Sequence, residues 1–415
     1  MNYSEFGRRF SGYSGITHLM DDLNQGLLED DMVMLGGGNP AAITEVNQIF
    51  QDCLSKLHAS GELLQALSNY DGPQGKNSFI DSLADFLQQQ YNWPISSKNI
   101  ALTHGSQSAF FILFNFFGGI SNKKQQKILI PLVPEYIGYC DVGIEADMIV
   151  SQQAKIERLD GGYFKYRVDF DHLEVDQNTG LICVSRPTNP SGNVLTDAEC
   201  HQLDHIAQNN DVPLLIDSAY GTPFPNIIFN QVTPFWNDNT IVCMSLSKLG
   251  LPGARTGIVI ANEDIIKEFT NMTAITSLAP GGVGPVILNR LIQDNLLVPL
   301  CNEMILPFYQ KRSQLAIRLL RQAIDDPRVN IHKPEGSLFL WLWFEGLPVT
   351  TGELYERLKR KGLLVIPGKY FFPGQTEPGR HAESCIRMNY VQSENELRRG
   401  INILAEELKA CWGVG

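Results

Sequence analysis

Lys248 lies in "SLSKLGLPGAR", after an apolar run, flanked by Ser245 and Ser247 and seven residues before Arg255. Burial and nearby positive charge depress a lysine pKa, and the free amine then condenses with aldehydes. Two hydroxyls and a guanidinium are what a phosphate wants. A polar loop after a strand is the plainer reading of the same stretch. Asp217 ends the apolar run of "PLLIDSAYG". A buried carboxylate there is costly unless a cation or donor awaits it, and a protonated pyridine nitrogen would serve. Tyr220, three residues on, could donate to an oxygen of the same ring; a helix N-cap aspartate is the competing explanation. In "RPTNPSGNV" two prolines and Gly192 stiffen a turn that presents Asn189, whose amide could bond a phenolic oxygen or be an ordinary turn residue.

Four further stretches join these. In "LTHGSQSAFFILF", Gly105, Ser106 and Gln107 precede an apolar helix, whose free N-terminal amides favour a phosphate; His104 reads as structural or solvent-facing. Tyr136 of "PLVPEYIGY" could stack on a flat cofactor or sit in the core. Arg387, alone in the apolar run "SCIRMNYV", needs an anion: a substrate carboxylate or an internal salt bridge. The glycines Gly36–Gly38 of "MLGGGNP" allow close backbone approach to a ligand, and "SNYDGPQGK" puts Tyr70 in a tight turn.

The elements that must position these residues follow from periodicity. Val46–Leu57 and Phe79–Leu87 place their apolar residues at helical spacing. "AFFILFNFFGGI", Ala109–Ile120, is too short to span a membrane and reads as a buried helix. "KILIPLVP", "GLICVSRP", "VPLLIDSAY", "TIVCMSLS" and "TGIVIAN" are continuous apolar runs, as in strands buried on both faces of a mostly parallel sheet. From about residue 306 the texture changes: an amphipathic helix near Phe308–Ala323, then "GSLFLWLWF", "GLLVIPG" and a closing helix near Glu394–Cys411. An α/β class is expected, with a large domain over 46–305, a smaller α+β domain over 306–415, and a segment 1–45 packing with the latter.

Composition narrows the function. The chain of 415 residues is 43% hydrophobic and 19% charged, with a net charge of −12, which suits neither nucleic acid nor an anionic membrane. Its eight cysteines form no CxxC pair, so neither a disulfide framework nor a metal site is expected. The opening "MNYSEFGRRF" has no apolar core of a signal peptide, and a cytoplasmic location is expected.

No single motif decides the chemistry, but their order does. Glycine–serine–glutamine before a helix, a tyrosine after a strand, "NPSG", "IDSAYG", "SLSK…PGAR" and a late strand arginine occur in one sequence, and the set resembles the fold-type I pyridoxal-phosphate-dependent aminotransferases from Gly36 to Arg387. The resemblance implies a homodimer with shared sites, in which Tyr70 reaches the neighbouring subunit's phosphate. It implies that Lys248 holds the cofactor aldehyde and later moves the substrate's Cα proton, and that Asp217 keeps the pyridine nitrogen protonated. By the same resemblance Asn189 and Tyr220 bond the ring's phenolic oxygen and Tyr136 stacks on the ring. Gly105, Ser106, Gln107, Ser245, Ser247 and Arg255 hold the phosphate, and Arg387 binds the α-carboxylate beside Asn189 and the backbone of Gly38. The implied activity is ping-pong transamination between valine or similar neutral amino acids and pyruvate; another neutral-amino-acid aminotransferase, or a lyase of the same fold, is the alternative.

Overall fold

The structure is a computed structural model that describes residues 2–12, 15–26, 31–121 and 123–413, so parts of the expected N-terminal segment lie outside the described residues. Its strands are β1 (Val33–Met34), β2 (Ile100–Thr103), β3 (Gly119–Ser121), β4 (Lys124–Val133), β5 (Ile149–Gln153), β6 (Lys155–Leu159), β7 (Tyr163–Arg167) and β8 (Thr179–Ser185). They continue with β9 (Leu214–Asp217), β10 (Thr240–Ser245), β11 (Gly257–Ile260), β12 (Val329–His332), β13 (Phe339–Phe344), β14 (Leu363–Leu364), β15 (Ile366–Pro367) and β16 (Cys385–Asn389).

The large sheet has the order β2-β11-β10-β9-β8-β4-β3, with β5 also on β4. The pairings β10/β9, β9/β8 and β8/β4 are parallel, as expected of buried apolar runs, and the partly exposed β5 also joins β4 in parallel. The sheet is nevertheless mixed, because β11 runs antiparallel to both neighbours and β3 to β4. The reason for β11 is local. The link from Ser245 to Gly257 is too short for a crossover helix, so the chain turns back and those two residues become register partners. Lys248 rides on that turn.

Alternation along β10 sends Val242 and Met244 into one core and Ile241 and Cys243 into the other. Helices Thr44–Ala59 and Asn77–Tyr91 cover the first face with Phe50, Phe79 and Leu83. Helix Ser106–Phe117 covers the second with Phe110, Leu113 and Phe114. The apolar stretch Ala109–Ile120 is therefore not one helix. Gly118 ends the helix, Gly119 at φ +104° turns the chain, and Gly119–Ser121 forms β3, leaving Ile120 exposed.

A second sheet has the order β15-β16-β13-β12-β7-β6. Its last two strands come from 155–167, joined by Gly161 and Gly162, both at φ +71°. Helical structure runs unbroken from Leu297 to Ala323, across residue 306. Helix Glu394–Trp412 starts on a capping box of Ser393 and Glu396. In the N-terminal segment β1 pairs with β14. Among the described residues no helix is long and apolar enough to cross a membrane, and no cluster of His, Cys, Asp or Glu is arranged to hold a metal ion.

Candidate active site

The carboxyl ends of β8, β9 and β10 meet in register, Ser185 beside Asp217 and Asp217 beside Cys243. Ligands bind at such edges of α/β sheets. A cavity of about 250 Å³ opens there and brings together Gly38, Ser106, Gln107, Tyr136, Asn189, Asp217, Tyr220, Ser245, Ser247, Lys248, Arg255 and Arg387.

Asp217 is buried and does not cap a helix. Its Oδ1 accepts from the Ala219 N–H at 2.9 Å and its Oδ2 from the Tyr139 hydroxyl at 2.9 Å. Burial lifts its pKa to about 6, with those two hydrogen bonds and then the Lys248 charge opposing. Lys248 sits in the short 3₁₀ turn Leu246–Leu249, whose cap is Ser245, the Oγ of which accepts from the Ser247 N–H. The ammonium donates to the Gly38 carbonyl at 2.6 Å and lies 5.3 Å from the centre of the Tyr220 ring. Burial first, then the guanidinium charges of Arg387 and Arg255 against the pull of Asp217, bring it down to about 8. That is the state a nucleophilic amine needs.

One end of the cavity is built for an anion. Gly105 has φ +87°, and a Cβ added there would lie 2.5 Å from Arg255 Nη2, so only glycine lets the guanidinium lie across the start of helix Ser106–Phe117. Gly257 permits the matching approach of β11, its would-be Cβ meeting the Gly105 backbone at 2.6 Å. Arg255 itself takes a left-handed φ of +45° after the turn Pro252–Ala254, which bends it back toward the helix. The Ser245 and Ser247 hydroxyls lie 3.0 Å apart. The side-chain amide of Gln107 donates to the Gly138 carbonyl, so Gln107 leaves the site its backbone N–H in the first helical turn.

The other end suits a carboxylate. Arg387 is buried on β16, its guanidinium 4.1 Å from the centre of Phe339 and 5.1 Å from that of Phe371. It donates to Asn189 Oδ1 at 2.8 Å and to the Gly36 carbonyl at 2.7 Å, while its buried Nε has no partner among the described residues. No carboxylate of the described residues pairs with it, so it is not half of an internal salt bridge. Desolvation pulls it down to about 10. With Oδ1 of Asn189 occupied, the Nδ2 donor is what that residue offers a ligand. Tyr136 lines the cavity, edge-on to Tyr139 at 5.3 Å. Tyr70 is 86% exposed and is not brought to this chain's own cavity.

Sequence reading passed over Glu135, Tyr139 and Ser185, which stand behind or beside Asp217, and Leu19, Met20, Ile366 and Phe371, which form an apolar rim. The quoted stretch "PEYIGY" held the first two. A glutamate after a strand-ending proline, with a tyrosine four residues on, was the available signal.

The profile of the family aminotransferase class I and II matches residues 33–404. Valine–pyruvate aminotransferase of Escherichia coli K12 is 52% identical over 413 residues, covering 99% of each chain. The crystal structure of valine–pyruvate aminotransferase of Salmonella typhimurium LT2 superposes with a TM-score of 0.90 at 52% identity, covering 97% of this chain and 100% of that one. A multiple-substrate aminotransferase of Thermococcus profundus shares the fold with a TM-score of 0.80 at 20% identity, over 99% and 98% of the chains.

Proposed function

The chain belongs to the aminotransferase class I and II family, whose cofactor is pyridoxal phosphate, and from that premise we propose that it moves an amino group from valine or a similar neutral amino acid to pyruvate. The residues present fit the cofactor. A carboxylate lies in the cavity for a ring cation, and a lysine of lowered pKa faces it. A glycine-cleared guanidinium lies at a helix start, ready for a phosphate. When bound, pyridoxal phosphate supplies an aldehyde that takes the amino group and a ring that draws off charge as the Cα proton leaves.

The protein's own residues then divide the work. Lys248 would hold the aldehyde, and its amine would carry the proton at substrate Cα. Asp217 keeps the ring nitrogen charged. Asn189 Nδ2 and the Tyr220 hydroxyl serve the phenolic oxygen, and Tyr136 flanks the ring. Ser245, Ser247, Arg255 and the amides at Gly105–Gln107 hold the phosphate. Arg387 binds the α-carboxylate, with the Gly38 carbonyl nearby. The observation that carries the substrate class is the cavity wall. Two of its cations, Lys248 and Arg255, serve the cofactor, which leaves Arg387 for one carboxylate among Leu19, Ile366 and Phe371. That wall suits a neutral, apolar side chain, and the identity to the two valine–pyruvate enzymes supports the same reading.

Two copies complete the site in this reading. Tyr70 follows exposed Leu64 and Leu67 along the chain, and exposed Ile275 and Leu278 precede Gly282, which packs on Ala66. A second copy covers them and receives Tyr70 at its phosphate end, in a cytoplasmic homodimer. The test is stoichiometric: purified enzyme given valine and pyruvate forms alanine and 2-oxoisovalerate one to one. Release of ammonia from a β-substituted amino acid with no oxo acid present would favour the lyase.

A further inference from the structure

Asp217 ends a chain of hydrogen bonds that the transamination scheme leaves unused. Glu135 is fully buried and has no cationic partner among the described residues. Its Oε1 accepts from the Ser185 N–H at 2.8 Å, and its Oε2 lies 2.6 Å from Ser185 Oγ and 3.1 Å from the Tyr136 nitrogen. Ser185 Oγ lies 3.1 Å from the Tyr139 oxygen, which in turn lies 2.9 Å from Asp217 Oδ2.

Four groups in line leave three oxygen–oxygen gaps, and the two hydroxyls carry two protons. With both carboxyls ionised, one gap would face lone pair to lone pair, and two charges would share a buried core. A third proton fills every gap. Placed on Glu135, it orients every bond toward Asp217: Glu135 donates to Ser185, Ser185 to Tyr139, Tyr139 to Asp217. Placed on Asp217, it would reverse them and leave the charge on the carboxyl that has no cation. Lys248 stands on the Asp217 side.

We propose that Glu135 is kept as a neutral acid and that Glu135–Ser185–Tyr139 is a positioning relay that holds Asp217 ionised and aimed into the cavity. This rests on the ring-nitrogen role of Asp217 given above. Of the titratable groups around Glu135, Asp217 disfavours a second charge, Tyr139 and Cys183 stay neutral beside it, and its bonds from Ser185 and the Tyr136 N–H do not offset burial. Glu135 is lifted to about 8 and Asp217 only to about 6, the order the relay requires.

The test uses the cofactor-loaded enzyme with no substrate. Its infrared spectrum at neutral pH should carry a protonated-carboxyl carbonyl band that Glu135→Gln removes. Glu135→Gln can still donate to Ser185 and loses only the 3.1 Å contact with the Tyr136 N–H, so kcat should stay within about threefold. Tyr139→Phe and Glu135→Ala should each lower kcat about tenfold with KM for valine little changed, and the double variant should be no worse than Tyr139→Phe alone. A spectrum unchanged by Glu135→Gln, a larger kcat loss in that variant, or additive losses in the double variant would each overturn the relay. Should Glu135→Ala not fold, the infrared band and Glu135→Gln still decide. Because the band is read without substrate, a failure to transaminate valine would leave this result standing.

Discussion

Gly105→Ala isolates the phosphate end of the site. Gly105 lies at φ +87° and ψ 161°, a region all but closed to other residues, which costs about 1–3 kcal/mol of folding stability. The new methyl would sit 2.5 Å from Arg255 Nη2 and 3.0 Å from its Cζ, so the guanidinium must retreat by about 1 Å to reach ordinary contact. The side chain can move, since Arg255 is exposed and held by long bonds of 3.4 Å to the His104 carbonyl and 3.5 Å to the Pro252 carbonyl. It moves off the anion, however. Losing one hydrogen bond to a charged group costs about 1.5–3 kcal/mol, or about 10–100-fold in Kd. The assay is titration of the apo-protein with pyridoxal phosphate and, in parallel, with pyridoxal. The loss is expected for pyridoxal phosphate alone. Equal losses for both ligands, or none for either, would refute the placement of the phosphate against Arg255 and Gly105.

Three further outcomes follow from the same geometry. Arg387→Ala leaves Asn189 and the Gly36 carbonyl without their donor and should raise KM for valine by about 100-fold or more, the scale of a lost buried ionic contact, while the rate with an amine lacking a carboxylate is spared. Lys248 reacts as the neutral amine, and burial with two neighbouring guanidinium groups sets it at about 8 rather than 10.5. Aldehyde uptake by the apo-protein should therefore climb as pH rises through about 8 and level off above it, whereas a rise centred near 10.5 would contradict the assignment. Lys165→Met leaves the buried carboxylate of Glu335 only the half-exposed Lys333 ammonium at 3.5 Å, beside the Val194 N–H and the Asn230 amide, and should lower stability by about 3 kcal/mol in denaturant titration without moving KM.

The site was legible in the sequence wherever a charged residue closed an apolar run. Asp217 and Arg387 stand in buried strands and Lys248 on the turn just past one, where an unpaired charge asks for a partner, and the structure brings all three to one cavity. Gly105 was legible as a helix start but not as the clearance for Arg255, since that contact joins residues 150 apart. Glu135 and Tyr139 escaped because a glutamate in a loop looks like surface until the loop is seen to fold under β8. The parallel part of the large sheet followed from continuous apolar runs, whereas β11 turned antiparallel because its link is short. The recruitment of β6 and β7 into the second sheet rests on pairing with β12, more than 150 residues away, to which local periodicity is blind.

The most direct test of the account is a single half-reaction. Cofactor-loaded enzyme is mixed with valine in the absence of any oxo acid, and its visible absorbance is followed, then pyruvate is added. Valine should discharge the absorbance with release of one 2-oxoisovalerate per site, and pyruvate should restore it with formation of alanine. Visible absorbance that valine leaves unchanged, in enzyme that still binds the cofactor through Lys248, would contradict the proposed reaction.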